Sequence, residues 1–337
     1  MSRELDLTGL DAQDPLAYLA ALGVLVAATD VSVRRHLAAP RMRFAVGALT
    51  TPVLHGLFES EDELVETLMA DLNEVAGRET NVARDPFLTF TYPDEKGNDV
   101  HDLKPPLEVF RGFAEQLIEA ASPSHRRSLD WAAATLTDVA VDRSGVAAKP
   151  FALHFTAGQQ RFLTVALELL DGTESKPKPN SPGRPLDAGD LRDAVFGPWP
   201  NNRTLKVFSW SPTQDRAYAL RAVDPSGDQK LGTPGADWLA LRGLSLLSSA
   251  PVSGVRGGQI KTSGVDGGWK NGIFSYPIWP RPLDADAVRS LMRHPALRSG
   301  QEASTRARLA LGVEVLTCRI SRSEQGGYGA FSRPSWR

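Results

Sequence analysis

The chain has 337 residues, 42% of them hydrophobic, and a formal charge of −2 from 38 Lys and Arg against 40 Asp and Glu. That length holds one large domain or two modest ones, and the composition is that of a globular chain with a sizeable core. Cys318 is the sole cysteine, which excludes an internal disulfide and a thiolate metal cluster and fits a reducing cytoplasm.

The first elements are sharply punctuated. Leu5 to Leu10 opens with a strand-like alternation. Asp14 then Pro15 form an N-cap and first-turn pair, so a helix starts there, with Leu16, Leu19, Leu22 and Val26 at helical spacing. Gly23 is costly inside such a helix and marks close packing against another element. The apolar run Pro15 to Thr29 is flanked by Asp14 and Asp30. It reads as too short to span a bilayer, and it lacks the basic leader and cleavage site of a signal peptide. Arg41 to Val46 alternates like a strand. Ser60 with Glu63 forms a capping box for an acidic helix to Ala76.

Pro86 to Tyr92 reads as a strand, and Pro93 to Pro106 as a loop. Helices follow over Leu107 to Ala121 and Ser124 to Leu136. Thr156 with Gln159 caps a further helix, whose buried face is Phe162, Leu163, Ala166, Leu167 and Leu170. Gly172 to Pro185 is a linker or basic loop, and Asp187 to Val195 a short helix. Beyond it the chain is rich in Trp, Gly and Pro. Strands are expected at Thr204 to Trp210, Ala250 to Val255, Ile273 to Ile278 and Val313 to Arg319, and helices at Ala236 to Ser245, Asp284 to His294 and Gln301 to Leu311. Separated runs of helix and strand make the fold class α+β, mixed helices with antiparallel strands.

Charge divides the chain. Residues 1–148 carry 13 basic and 24 acidic side chains, and residues 149–337 carry 25 and 16. Two regions are expected on that basis: an acidic N-terminal α+β region (1–148) and a basic C-terminal one (149–337) with nucleic-acid-contacting loops. Phosphate-loop, dinucleotide, nucleophile-elbow and zinc-helix signatures are missing. The six histidines have no ligand spacing. His101-Asp102 has no second His-Asp pair beside it, so no metal, cofactor or catalytic residue is assigned.

The remaining signals suit polyanions. The helix start after Thr156 offers backbone N–H groups to a phosphate, with Gln160 and Arg161 as further side-chain donors; the alternative is that Gln159 only caps and Gln160 is solvated. Arg256 to Gly272 combines close-approaching glycines with Gln259, Lys261, Lys270 and Asn271, and Trp269 is placed to stack on a base or wedge into a duplex. The alternative for this stretch is an ordinary β-hairpin. Asn201, Asn202 and Arg203 form a weaker candidate of the same kind.

Four segments resemble a known family. They are Leu7-Thr8-Gly9-Leu10 with Pro15 to Leu25; Thr156 to Leu163; Phe208-Ser209-Trp210-Ser211-Pro212 with Asp215 to Arg221; and Phe274 to Trp279. Their pattern is similar to that of large subunits of type I CRISPR effector (Cascade) complexes, subtype I-U or I-G. The resemblance implies a non-catalytic subunit that sits near the guide RNA handle, recognises the PAM in double-stranded DNA, contacts other Cascade subunits and recruits a helicase–nuclease. A guide-RNA-binding backbone subunit, an enzyme using His101, Asp102 or His154, and a purely structural interaction protein are the alternatives. No membrane partner is expected.

Overall fold

The computed structural model describes residues 3–56, 58–122, 125–138, 150–156, 161–172, 183–204, 208–214, 231–252, 259–297, 302–322 and 328–337. The N-terminal elements are β1 (Arg3–Asp6), α1 (Pro15–Arg34), β2 (Arg41–Val46), β3 (Thr50–Gly56), α2 (Glu61–Val75), β4 (Tyr92–Pro93), β5 (Asp99–Val100), α3 (Leu107–Ala120) and α4 (Arg127–Thr135). Then come α5 (Phe162–Asp171), α6 (Ala188–Val195), β6 (Arg203–Thr204), β7 (Leu231–Gly232), α7 (Pro234–Gly243), β8 (Ser249–Val252) and β9 (Gln259–Thr262). The chain closes with β10 (Val265–Gly267), β11 (Gly272–Ile278), α8 (Ala285–Met292), α9 (Glu302–Leu311), β12 (Glu314–Arg322), β13 (Gly329–Phe331) and β14 (Ser335–Trp336). Among the described residues all the strand pairings are antiparallel, and the fold is α+β.

α1 starts where its cap dictates. The Asp14 carboxylate accepts the Leu16 N–H at 2.8 Å, and Pro15 supplies the preset first turn. The helix is apolar nearly all round, so it lies inside the molecule instead of on its surface. Among the described residues it alone is long and apolar enough to cross a membrane, contrary to the shorter run read from sequence. Yet 83% of that window is buried within the protein.

Its partner is α7. A Cβ on Gly23 would stand 1.7 Å from the Leu239 carbonyl oxygen, and one on Gly243 would stand 2.2 Å from that of Leu19. The two glycines therefore let the backbones touch. Around this crossing lies a largely buried salt-bridge network. Arg242, fully buried, donates from Nε to Asp71 at 2.8 Å and from Nη2 to Asp30 at 2.7 Å. Arg127 joins from α4, donating to Asp85 at 2.8 Å and lying 3.4 Å from Glu74. Burial would raise the Asp71 pKa, but Arg242 and Arg127 outweigh it and hold the carboxyl below its ordinary value.

Two sheets flank the helices. One has the order β1-β3-β2; the other runs β10-β11-β12-β13, with β14 on β12. They are stitched together at β2: Met42 and Leu283 exchange backbone hydrogen bonds of 2.8 Å, and Trp279 donates its indole N–H to the Met42 carbonyl at 2.7 Å. Tyr18, Phe44, Tyr276 and Trp279 fill that seam. One hydrophobic cluster runs from Leu7 to Phe331, so the acidic and basic regions share a core. The boundary expected at 148 lies outside the described residues.

Three expectations fail for local reasons. Pro86 to Tyr92 is mostly a turn: the Asp85 carboxylate accepts from the Phe87 N–H at 3.0 Å, and its carbonyl accepts from Leu88 at 3.1 Å. Of the expected strand 204–210, residues 205–207 lie outside the described residues; among the described ones Thr204 pairs with Leu231, and Ser209 at φ +63° departs from strand geometry. The helix expected to be capped by Thr156 begins at Phe162 instead, and Gln159 lies outside the described residues.

The Gly23–Leu239 contact gives a stability prediction. Gly23→Ala forces the two backbones apart and should cost about 3 kcal/mol or more. On α3, a Cβ at Gly112 meets nothing within 4 Å. Gly112→Ala should therefore stabilise by about 0.5–1 kcal/mol. Urea unfolding midpoints compare the two; a neutral Gly23→Ala would remove the close contact as a constraint.

Candidate nucleic-acid interface

The end of the glycine-rich stretch, from Val265 to Gly272, forms a built corner of the second sheet, while β9 pairs with β8 in a separate two-stranded sheet. Val265 pairs with Phe274 and Gly267 with Gly272, so Gly268 to Asn271 make the connecting turn. Gly267, at φ +93°, is where the turn needs a glycine: a Cβ there would stand 2.8 Å from the Asn271 carbonyl oxygen. Trp269, Lys270 and Asn271 are all exposed on this turn. Antiparallel pairing sets Gly272 against Ile320, which brings Arg322, two residues on, to the turn.

Arg322 holds the corner together. Its Cζ lies 3.5 Å from the Trp269 ring centroid, and its Nε donates to the Trp269 carbonyl at 2.9 Å. Nη1 and Nη2 donate to the His154 and Ala152 carbonyls at 2.8 and 2.7 Å. Burial lowers the guanidinium pKa to about 10, which leaves it charged at neutral pH. The indole is thus laid on a fixed cation while remaining 44% exposed. Sequence reasoning found Trp269 but missed Arg322, because its only signal is the strand register.

The other expected contacts separate into distinct settings. Lys261, on β9, lies 3.4 Å from Asp266 on β10. Gln259 opens β9 and pairs through its backbone with Val252. Gln160 and Arg256 lie outside the described residues. Asn201 folds on itself at φ +42°, exchanging contacts of 3.3–3.4 Å with Thr233 and Trp199, while Asn202 is exposed beside it. Arg203 departs from its expected role: its side chain is buried, donating to Asp190 at 2.8 Å and to the Arg184 carbonyl at 2.7 Å. A desolvated arginine fixed by a carboxylate serves the interior rather than a phosphate.

The helix start near Arg161 is also taken. Arg161 precedes α5 without a side-chain cap, and the Phe162 N–H donates to Asp102 Oδ1 at 3.1 Å. A carboxylate from a distant loop therefore occupies the place proposed for a phosphate. His154 Nε2 lies 3.3 Å from the same oxygen, and its ring stacks on Phe162. Burial pushes the His154 pKa below the ordinary value, so a neutral ring donates to an ionised Asp102. Burial alone would raise the Asp102 pKa, but the His154 hydrogen bond and Lys104 hold it at about 2. Among the described residues no group of three His, Cys, Asp or Glu is placed to hold a metal ion. Burial pushes the Cys318 thiol up, away from the thiolate.

Compared with known proteins, the chain matches no family model, no curated protein and no solved structure.

The buried His154–Asp102 pair predicts a pH dependence. An unfolded histidine titrates near about 6.5, and the folded ring lower. As pH falls, the unfolded chain takes the proton first, so stability is lost from about pH 6.5 downward, by up to about 1.4 kcal/mol per pH unit. Urea midpoints followed from about pH 7.5 to 5 should fall more steeply for the native chain than for His154→Gln. Equal slopes would show that His154 is not the titrating group.

Proposed function

We propose that the chain is a non-catalytic, nucleic-acid-contacting subunit of a type I CRISPR effector complex, of the large-subunit kind. In this reading it contacts guide RNA and PAM-bearing duplex DNA and offers a docking face to a helicase–nuclease. The observation that carries the reading is Trp269. An exposed indole, pinned on Arg322 and flanked by exposed Lys270 and Asn271, is a preset stacking surface with a cation and an amide beside it.

The segments that resemble the family support the reading in a different way. Tyr18, Gly23, Phe208, Trp210, Tyr276 and Trp279 are all buried. The shared pattern thus describes a scaffold, and the polar turn projects from β11, one of the strands that the pattern includes. Of His101, Asp102 and His154, the residues an enzyme would use here, Asp102 caps α5 and His154 is hydrogen-bonded to it, both buried, while His101 is half-buried. That favours binding over catalysis.

Binding of fluorescent duplex, single-stranded DNA and RNA by the full chain tests this. Affinity should fall steeply with salt as counterions are released. Trp269→Ala should weaken binding about 5- to 150-fold, the value of one stacked base. Lys270→Ala should reduce the salt slope by about 1, and Asn271→Ala should alter base preference more than affinity. Binding to RNA without any duplex preference would point to the guide-RNA backbone role instead. Binding indifferent to all three substitutions would overturn the turn as the contact element.

A further inference from the structure

Arginines of the N-terminal elements meet carboxylates: Arg43 pairs with Glu4, Arg84 with Asp171 and Arg127 with Asp85. Along β12 and β14 the pattern changes. Among the described residues no carboxylate pairs with Arg308, Arg319, Arg333 or Arg337.

The strand register gathers these groups. Leu316, Cys318 and Ile320 of β12 are buried, so alternation turns Thr317, Arg319 and Ser321 to the opposite face, where Arg319 and Ser321 are exposed. Arg319 lies across from Ile273 on one side. On the other side Ser332 holds its backbone: the Arg319 N–H donates to Ser332 Oγ, and its carbonyl accepts the Ser332 N–H, each at 2.9 Å. Arg333, exposed, follows directly. Further along, Ser335 pairs with Thr317, their hydroxyl oxygens 3.3 Å apart, and the Arg337 N–H donates to the Val315 carbonyl at 3.0 Å. Guanidiniums thus stand at both ends of a hydroxyl pair, over the four residues from Arg319 to Val315, about 13 Å of strand.

Two further side chains frame this row. Trp336, across from Leu316, is 43% exposed, and its indole meets no hydrogen-bonding or ring partner among the described residues. Arg308 of α9 is buried; its Nη2 donates to Thr305 Oγ1 at 3.2 Å, and its Nη1 has no partner. Burial, and then the Arg337 guanidinium, lower the Arg308 pKa. Two like charges therefore face each other without a carboxylate paired to either.

Forked guanidiniums suit phosphate oxygens, and their repetition along the strand suits a run of phosphates better than a single one. Trp336 selects among polyanions. An open indole face takes an unstacked base, which a single strand offers, a duplex keeps inside its stack and an acidic peptide lacks.

We propose that β12 and β14 carry a contact surface for a single-stranded polynucleotide, with phosphates on Arg319, Arg333 and Arg337 and a base on Trp336. This surface goes beyond the Trp269 turn, shares no side chain with it and stands without it.

Fluorescence anisotropy of the full chain with three labelled probes tests the assignment. The probes are an oligothymidylate of about 12 nucleotides, within the span of a single-strand groove, a duplex of the same length, and polyglutamate. The single strand should bind most tightly. Trp336→Ala should weaken it about 5- to 150-fold and leave the duplex unchanged. Arg319→Gln and Arg333→Gln should each reduce the salt slope for the strand by about 0.7, whereas Arg319→Lys, which keeps the charge, should not. Thermal unfolding checks that each variant folds, and all three side chains are exposed. Trp269→Ala, measured in parallel, separates the two surfaces. If it alone weakens binding, the turn stands and this surface falls; if the β12 and β14 variants alone do so, this surface stands and the turn falls. A duplex or polyglutamate that binds as tightly as the strand overturns the proposal.

Discussion

The contact between α1 and α7 is the constraint on which the other packing depends. Two helical backbones meet at Gly23 and Gly243 with no side chain between them. Such proximity leaves little freedom in crossing position, since a shift of one residue would bring a Cβ into a carbonyl. It also explains why Arg242, one residue before Gly243, is driven fully into the interior. There it must find carboxylates, and Asp30 of α1 and Asp71 of α2 supply them. Removing either charge alone would leave the others buried and uncompensated, so the network specifies one arrangement of α1, α2, α4 and α7.

From that centre the chain extends outward as two sheets joined at β2. Tyr18 reaches from α1 into the seam between them, its ring tilted against Tyr276 with centroids 4.3 Å apart. The second sheet is thereby anchored on the helical core along β11, and its far end projects the Trp269 turn. Arg322 ties that end to the loop at Ala152 to His154. A stacking residue on a free hairpin would lose conformational freedom on binding a base. One already fixed on a guanidinium loses less, which is the advantage of preorganisation.

Residues with chemical potential are used here largely for architecture. The Asp102 carboxylate accepts from the first N–H of α5 and from His154, so its charge stands at that helix start. Arg203 is consumed by Asp190 in the same way. Lys270 and Asn271 stay exposed on the turn after β10, and Asn202 stays exposed beside Asn201.

Local chemistry was legible in the sequence. Asp14-Pro15, Ser60 and Asp187 each start a helix where their side chains predict, because a cap acts over two or three residues. The cost of Gly23 inside an apolar helix announced a close neighbour, and the periodicities announced an α+β chain. What tertiary structure decided was partnership: that the neighbour is Leu239, that the cap of α5 is Asp102 and not Thr156, that Trp269 rests on Arg322, and that Arg203 turns inward. Each of these joins residues separated by tens to hundreds of positions. A linear pattern encodes which groups need a partner, through burial, charge or an unsatisfied N–H. Which group answers depends on the register of strands and the crossing of helices, and those are fixed only when the whole core closes.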